Sequence, residues 1–336
     1  MLRGVIRDRP EDFFVDEILG FTPDGQGEHL WLRIEKTAQN TEWLVRQIAR
    51  VFSVRPRDVG YAGLKDRHAV TRQWFSVPTA GDATPLKNAD LPGLRLLEVA
   101  RHGRKLRRGS HCANRFELVV RQLEREDPGF SGRVECIEAT GVPNYFTGQR
   151  FGHQGSNLDR AAEWLGQDKP ARLPRDRAAR HLSVARSAIF NAVAAERVRA
   201  GTWWSPIEGD RVMLAGSRSR FLATADELPA LQARAEAGDL APTGPLWGIG
   251  DAEVAGVVAR IESQCAERFA PLASGLARMR VESDRRPLRL GVQGLHIERL
   301  DDRLRLRFDL PPGGYALAVL RELVAFRDAR EPESRP

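Results

Sequence analysis

Strand-like alternation occurs near both ends of this sequence of 336 residues, and helical patterns fill its middle. The segments HLWLRIE (29–35) and RLRLRFDL (303–310) alternate apolar side chains with others, as half-buried strands do. Helical runs occupy 157–167, 175–200 and 251–269. Because a sheet element stands at each end, we expect one sheet domain interrupted by a more helical insertion.

Other segments extend this pattern. Further strands are predicted at 71–77, 94–100 and 115–120. A helix is predicted over 41–52, directly after Asn40, which is a favourable N-cap residue. The Pro- and Gly-containing stretch 225–250 is typical of loop with a short helix. The largely apolar run 314–326 predicts a closing helix.

Basic residues exceed acidic ones, with 52 Lys and Arg against 45 Asp and Glu, which gives a net charge of +7. Two runs carry much of this excess: RHGRKLRR (101–108) and RLPRDRAAR (172–180). A single basic run is more often a solvated surface. Several runs in one basic protein favour a polyanionic partner that presents phosphates.

The cysteines and the absence of targeting signals both indicate the same cellular compartment. The cysteines Cys112, Cys136 and Cys265 lie far apart with no C-x-x-C spacing, which argues against structural zinc and suits a reducing compartment. The first residues lack the apolar core of a signal peptide, and no segment is long enough in apolar residues for a membrane span. We therefore predict a cytoplasmic protein with no membrane partner.

Common cofactor and catalytic motifs are missing from the sequence. It contains no G-x-x-x-x-G-K-[ST], no G-x-G-x-x-G on a strand-to-helix turn, no H-E-x-x-H, no G-x-S-x-G and no zinc-deaminase pattern. We therefore predict no nucleotide cofactor, no other cofactor and no metal ligands. An enzyme of this kind would act with its side chains alone.

Asp66 is the best candidate for such chemistry. It lies between Lys65 and Arg67 in GYAGLKDRHAVTRQWFSV (60–77), just before a predicted strand. The two neighbouring cations would favour its ionised form and attract phosphates. By local chemistry alone, an aspartate in a charged turn is more often a surface residue.

The segment containing Asp66 resembles the signature of the tRNA pseudouridine synthase D family (TruD), in which the aspartate of A-G-x-K-D-x-x-A-x-T-x-Q is the catalytic nucleophile. The pattern is filled here by Ala62, Gly63, Lys65, Asp66, Ala69, Thr71 and Gln73. Six further segments match the family in order, at 11–18, 109–118, 141–152, 181–191, 284–290 and 310–323. Seven ordered segments are far more specific than any one of them.

Two positions depart from the family pattern. Thr147 stands where the pattern N-Y-F-G-x-Q-R-F-G has glycine, so we expect a local difference in that turn. Tyr315 stands where the family usually has phenylalanine. Because both rings can stack on a base, we expect the role of this position to be retained.

The resemblance implies an α+β fold with a mixed, largely antiparallel sheet of the pseudouridine-synthase type and an inserted, more helical TRUD domain. Residues 1–139 plus 290–336 would form the catalytic domain, and residues 140–289 the insertion. A basic cleft between the two would hold folded RNA by its shape and phosphates.

The resemblance also implies an activity: isomerisation of uridine-13 in the D-arm of tRNA to pseudouridine, without cofactor. Asp66 would be the catalytic carboxylate, acting on C6, on C1′ or on the 2′ proton; these three routes stay open. The residues implied in substrate binding are Phe13, Asn114, Tyr315, Phe116 and Lys65. Four of them have a structural alternative, which is a place in the core for Phe13 and Phe116, a turn cap for Asn114 and a helix start for Tyr315.

Two other function classes are compatible with a basic surface. A structural RNA-binding protein or RNA chaperone would need the same charge but no intact Asp66 signature. A nuclease using a general base would need a second positioned histidine or a metal cluster, and the sequence indicates neither.

Overall fold

A computed structural model of the chain describes residues 1–124 and 127–330. Its strands are β1 (Leu2–Ile6), β2 (Phe13–Ile18), β3 (His29–Thr37), β4 (Gly60–Tyr61), β5 (Val70–Pro78), β6 (Leu94–His102), β7 (Ala113–Glu124), β8 (Val142–Pro143), β9 (Arg211–Leu214), β10 (Arg220–Leu222), β11 (Leu240–Leu246), β12 (Asp284–Pro287), β13 (Arg289–Leu290), β14 (Gln293–Leu300), β15 (Arg303–Leu310) and β16 (Val324–Asp328). Its helices are α1 (Thr41–Val51), α2 (Thr84–Lys87), α3 (Phe130–Thr140), α4 (Gly148–Phe151), α5 (Ser156–Gly166), α6 (Arg175–Arg199), α7 (Leu228–Glu236), α8 (Gly256–Arg268), α9 (Ala270–Arg278) and α10 (Ala316–Leu323).

The chain divides into two compact units. Of the described residues, the first unit contains those within 1–134, 292–314 and 323–330, and the second contains Glu135–Gly291 together with Tyr315–Glu322. Both ends of the chain thus contribute to the first unit. The assignment of a catalytic domain to 1–139 plus 290–336, and of a TRUD domain to 140–289, stays a prediction.

A mixed sheet forms the first unit. Its strand order is β14-β15-β7-β2-β5-β3-β6, with β1 paired to β7 and β16, and β4 paired to β5. The pairs β1–β16 and β2–β5 are parallel, while the other pairs of this sheet are antiparallel. Helix α1 covers one face because Leu44, Val45 and Ile48 point into the apolar cluster formed with β3 and β5. As predicted, Asn40 caps α1, accepting a hydrogen bond from the amide of Glu42 at 2.8 Å.

The predicted closing helix over 314–326 is wrong in its last part. Helix α10 ends at Leu323, and Val324–Asp328 forms strand β16 instead. Leu2 pairs with Val324 and Ile6 with Asp328, so β16 lies parallel to the first strand of the chain. An apolar run is compatible with either element, and here a distant partner strand selects the extended form.

The segment 225–250 is more regular than predicted. It contains α7 and strand β11, whose sequence LAPTGPL includes Pro242 and Pro245. Proline lacks the amide of a sheet ladder but keeps its carbonyl, and Pro242 O accepts a hydrogen bond from the amide of Leu288 at 2.9 Å. The helix predicted over 251–269 begins at Gly256.

The second unit packs helices beside smaller sheets. Leu165 of α5, Ile189 of α6 and Leu276 of α9 are fully buried in one apolar cluster. A four-stranded sheet has the order β10-β9-β11-β12, and β13 pairs with β8. In the part of the chain that the structure describes, no helix combines the length and the apolar character needed to cross a membrane.

Candidate active site

Asp66 lies in the turn between β4 and β5, and its side chain is 13% exposed. Its Oδ1 atom accepts a hydrogen bond from the amide of His68 at 3.0 Å, which closes an Asx turn. Its Oδ2 atom accepts one from Nη2 of Arg7 at 2.6 Å. Because the Arg7 side chain is only 2% exposed, a buried guanidinium and the local backbone together orient this carboxylate.

Arg7 is itself held by a second carboxylate. Its Nη1 atom donates to Oδ2 of Asp328 at 2.8 Å, and Asp328 also accepts from Arg330. Burial lowers the pKa of Arg7, and the charge of Asp66 acts in the opposite direction. Burial would raise the pKa of Asp328, but hydrogen bonds from Arg330 and the charge of Arg7 bring it to about 2. Nη1 of Arg330 also lies 3.8 Å from Oδ1 of Asp66, so the two carboxylates and the two guanidiniums form a closed ring of alternating charges.

The Lys65 charge, which we expected to favour the ionised form of Asp66, is paired with another carboxylate. The Lys65 ammonium lies 2.5 Å from Oε2 of Glu17, and both side chains are almost completely buried. Glu17 also accepts a hydrogen bond from the amide of Trp74 at 3.1 Å. Because Glu17 occupies an inward position of β2, its charge needs a buried partner, which Lys65 supplies. Arg67 is exposed, and the counter-charges close to Asp66 are those of Arg7 at 2.6 Å and Arg330 at 3.8 Å.

A second lysine, Lys36, holds the backbone of the turn that contains Asp66. Nζ of Lys36 donates to the carbonyl of Gln39 at 2.7 Å and to the carbonyl of Asp66 at 3.2 Å. Lys36 is completely buried. Burial lowers its pKa to about 8, although the charge of Asp66 acts to raise it. Lys36 therefore holds the backbone of Asp66, while Arg7 holds its side chain.

The two predicted phenylalanines lie close together in the first unit. The guanidinium carbon of Arg7 lies 4.1 Å from the centre of the Phe13 ring. The Phe13 ring meets Phe116 edge-on at 6.3 Å. Phe116 stacks on Phe308 at 5.7 Å. Phe13 is 5% exposed and Phe116 is 7% exposed, so both rings are packed as core residues.

Asn114 lies on β7, on the same side as Phe116, as the alternation of buried residues in that strand shows. Its Nδ2 atom lies 3.2 Å from Nε2 of His111, and its Oδ1 atom has no hydrogen-bond partner among the described residues. Burial lowers the pKa of His111 to about 4, and the charge of Lys65 adds to this. His111 is therefore neutral near pH 7, and Asn114 retains a buried acceptor atom.

Tyr315 belongs to the second unit, where arginines and aromatic rings meet. Nη2 of Arg150 donates to its hydroxyl at 2.7 Å, and its ring lies edge-on to Phe146 at 5.9 Å. The Arg286 guanidinium lies 4.4 Å above the Phe146 ring. Burial lowers the pKa of Arg286 to about 10. The hydroxyl that distinguishes Tyr315 from phenylalanine is thus used to hold Arg150.

The Thr147 position needs no glycine in this chain. Its backbone is extended, with φ −82° and ψ 168°, a conformation that any residue adopts. The side chain is buried, and its Oγ1 atom has no hydrogen-bond partner within residues 1–124 and 127–330. The local difference expected here is a buried hydroxyl rather than a strained turn.

A cavity of about 310 Å³ lies elsewhere in the first unit. It is lined by Ile34, Leu86, Lys87, Ala89, Leu91, Leu94, Arg95 and Leu96. None of the residues predicted for the site contributes to its wall, and we assign it no part in the chemistry.

Comparison with known proteins identifies the family. The sequence model of the family described as tRNA pseudouridine synthase D (TruD) matches residues 2–172 and 171–323. This chain belongs to the TruD family. The tRNA pseudouridine synthase D of Methylococcus capsulatus is 47% identical over 99% of this chain and 94% of its own length. That of Nitrosococcus oceani is 44% identical over 97% of this chain and 92% of its own length. The predicted membership, and with it the enzyme class of tRNA pseudouridine synthases, is confirmed.

The TruD fold is confirmed as well. A crystal structure from Methanosarcina mazei that carries the tRNA pseudouridine synthase D name superposes with a TM-score of 0.70, covering 95% of this chain and 93% of the other. The identity is 21%, so this likeness concerns the fold alone. The prediction of an α+β fold with a mixed, largely antiparallel sheet agrees with it.

Four charged residues around Asp66 were not predicted from the sequence, namely Arg7, Lys36, Asp328 and Arg330. Lys36 and Asp328 occupy inward positions of β3 and β16, in phase with the apolar residues of those strands. A charged residue in the buried phase of a strand is a signal that a site lies nearby. Arg7 follows β1 in a left-handed conformation, with φ 56°, and carries no comparable signal.

Proposed function

We propose that this member of the TruD family isomerises uridine-13 in the D-arm of tRNA to pseudouridine, without a cofactor and with Asp66 as its catalytic carboxylate. In this reaction the bond between C1′ and N1 breaks and a bond between C1′ and C5 forms. C5 loses its proton and N1 of the uracil gains one. Atoms and electrons balance without a redox partner or a group donor.

The observation that carries the proposal is the pairing of Asp66 with Arg7 inside the filled TruD signature. A buried guanidinium at 2.6 Å gives an ionised carboxylate a fixed counter-charge and a fixed direction. Addition to C6, attack on C1′ and removal of the 2′ proton all require a carboxylate held in this way. RNA binding alone does not require such a carboxylate.

We assign the binding of the flipped uridine to Phe13, Asn114 and Tyr315. Extrusion of a base costs a few kcal/mol, and stacking on an aromatic ring offsets about 1–3 kcal/mol of it. The unpaired Oδ1 of Asn114 suits a donor on the uracil edge. Phe116 and Lys65 would act indirectly, since Phe116 supports the Phe13 ring and Lys65 neutralises Glu17 beside the turn.

We place this activity in the cytoplasm, with tRNA as the partner. Cys112, Cys136 and Cys265 form no disulfide in the structure, and two of them are exposed. Exposed thiols suit a reducing compartment, where tRNA is also available.

The test is pseudouridine mapping on a tRNA transcript incubated with the purified protein, by carbodiimide modification or mass spectrometry. A single pseudouridine at position 13 is expected, and a transcript with cytidine at that position should stay unmodified. If no pseudouridine forms in any transcript that the protein binds, the proposal is wrong. Pseudouridine at another position would overturn the assignment of uridine-13.

A further inference from the structure

The two basic runs of the sequence differ in what their side chains contact. In the run 101–108, Arg101 donates to the carbonyl of Ala80 at 2.9 Å, and Lys105 donates to that of Arg57 at 2.5 Å. The guanidinium of Arg108 lies 3.8 Å from the centre of the Tyr61 ring. Much of this run is therefore engaged in holding its own loops.

The second run has no such contacts. Its four arginines are exposed, as is a fifth arginine on α5 that lies beside them: Arg172, Arg175, Arg177, Arg180 and Arg160. We call these five residues the arginine cluster. None of them has an ion pair, a hydrogen bond through its side chain or a ring contact within the described part of the chain. Asp159 and Asp176 are their neighbours in sequence, yet neither pairs with them.

Three arginines of the cluster, Arg160, Arg177 and Arg180, lie close enough to one histidine for their charges to act on it. Arg177 and Arg180 are three residues apart on α6 and so lie on one side of that helix. After burial, the charges of Arg177, Arg180 and Arg160 are what lower the pKa of His181. Helices α5 and α6 thus bring like charges together around one histidine.

The scaffold beneath the arginine cluster is well packed. The His181 ring lies 5.6 Å from the ring of Trp164, whose Nε1 donates to the carbonyl of Ala171 at 2.8 Å. Trp164 belongs to the apolar cluster that joins α5, α6 and α9. Positive charges without internal counter-ions are therefore presented on a firm surface, where their mutual repulsion favours an external anion.

We propose that the arginine cluster is a binding surface for the phosphates of the RNA substrate. This proposal rests on the proposed function, because it assumes that the substrate is RNA. Guanidiniums match phosphate oxygens in bidentate geometry, and neutralised phosphates release their condensed counter-ions. The contacts would be independent of sequence, so they would position a folded RNA rather than select a base.

The experiment compares the triple variant Arg160→Gln/Arg177→Gln/Arg180→Gln with wild type in binding a tRNA transcript at several salt concentrations. Affinity at about 0.1 M salt should fall by about tenfold or more. The slope of log affinity against log salt should decrease by about two to three, because each lost phosphate contact contributes just under one. The unfolding temperature should not fall, since no internal contact is removed.

The matched control is Arg303→Gln/Arg305→Gln/Arg307→Gln on β15. It removes the same charge from exposed arginines that each lie within 4 Å of an acidic side chain. A cluster variant that binds with the affinity and salt slope of this control would overturn the proposal. Pseudouridine formation by wild type on the same transcript is scored separately, so loss of the proposed function and loss of this surface give different results.

Discussion

Nη2 of Arg7 lies 2.6 Å from Oδ2 of Asp66, across a separation of 59 residues in the chain. The other end of the same guanidinium is held at 2.8 Å by Asp328, on the last strand of the first unit. Arg7 thus joins two carboxylates, Asp66 and Asp328, that are far apart in the sequence. The parallel pairing of β1 with β16 is what brings Arg7 and Asp328 together.

Asp328 is therefore expected to position Arg7 for catalysis. The variant Asp328→Asn keeps the shape of the side chain but removes its charge, so Nη1 of Arg7 loses its charged partner. We predict that kcat for pseudouridine formation falls about tenfold while KM stays within about twofold. Asp302→Asn, at an exposed carboxylate in the β14–β15 turn, is the control. Equal kcat values for the two variants would contradict a positioning role.

Lys36 predicts a pH dependence of stability. Its pKa of about 8 in the folded protein lies below the ordinary value of 10.5, so between these values the unfolded chain binds more protons. Stability should then rise with pH across this window, by on the order of 3 kcal/mol in total. Urea unfolding of wild type and Lys36→Met at pH 7.5 and 10.5 measures the difference. If the two proteins change in parallel, the lowered pKa is wrong.

The Lys65–Glu17 pair predicts non-additive losses of stability. Lys65→Met alone leaves Glu17 charged and buried, which should cost about 3–5 kcal/mol of the free energy of unfolding. Glu17→Gln retains an acceptor for the Trp74 amide but leaves the Lys65 charge unpaired. The double variant should be less destabilised than the sum of the two single variants. Additive losses in a double-mutant cycle would show that the two groups do not interact.

The ring and the hydroxyl of Tyr315 are expected to have different roles, which two substitutions can distinguish. Tyr315→Phe removes the acceptor of Arg150 but keeps the edge-on contact with Phe146. We expect kcat/KM within about threefold of wild type for this variant. Tyr315→Ala removes the ring and should lower kcat/KM by about 10- to 100-fold, the range that a lost base-stacking contact gives. A Phe variant as impaired as the Ala variant would contradict a stacking role.

Local elements were accessible from the sequence because their signals are local. The N-cap at Asn40 and the apolar stripe of α1 lie within a few residues of one another. The alternation in β3 and β7 likewise reports burial residue by residue. These patterns needed no knowledge of the partner strand.

The remaining features depend on distant partners. Val324–Asp328 is a strand because β1 lies beside it, and a pattern of apolar residues alone does not reveal that neighbour. The pairing of charges at the site could not be predicted for the same reason. Lys65 pairs with Glu17, which is 48 residues away, rather than with the adjacent Asp66. The signature identified Asp66, but its partner Arg7 is 59 residues away and could be recognised only in the tertiary structure.

The central claim is that Asp66 is the catalytic group, and Asp66→Asn tests it most directly. This variant keeps the size of the side chain but removes its charge and its nucleophilic oxygen. The measurement is single-turnover pseudouridine formation at uridine-13 with enzyme in excess over a transcript whose binding is measured in parallel. We predict affinity within about threefold of wild type and a rate reduced by more than about a thousandfold. A variant that binds the transcript and forms pseudouridine at a near wild-type rate would contradict the account.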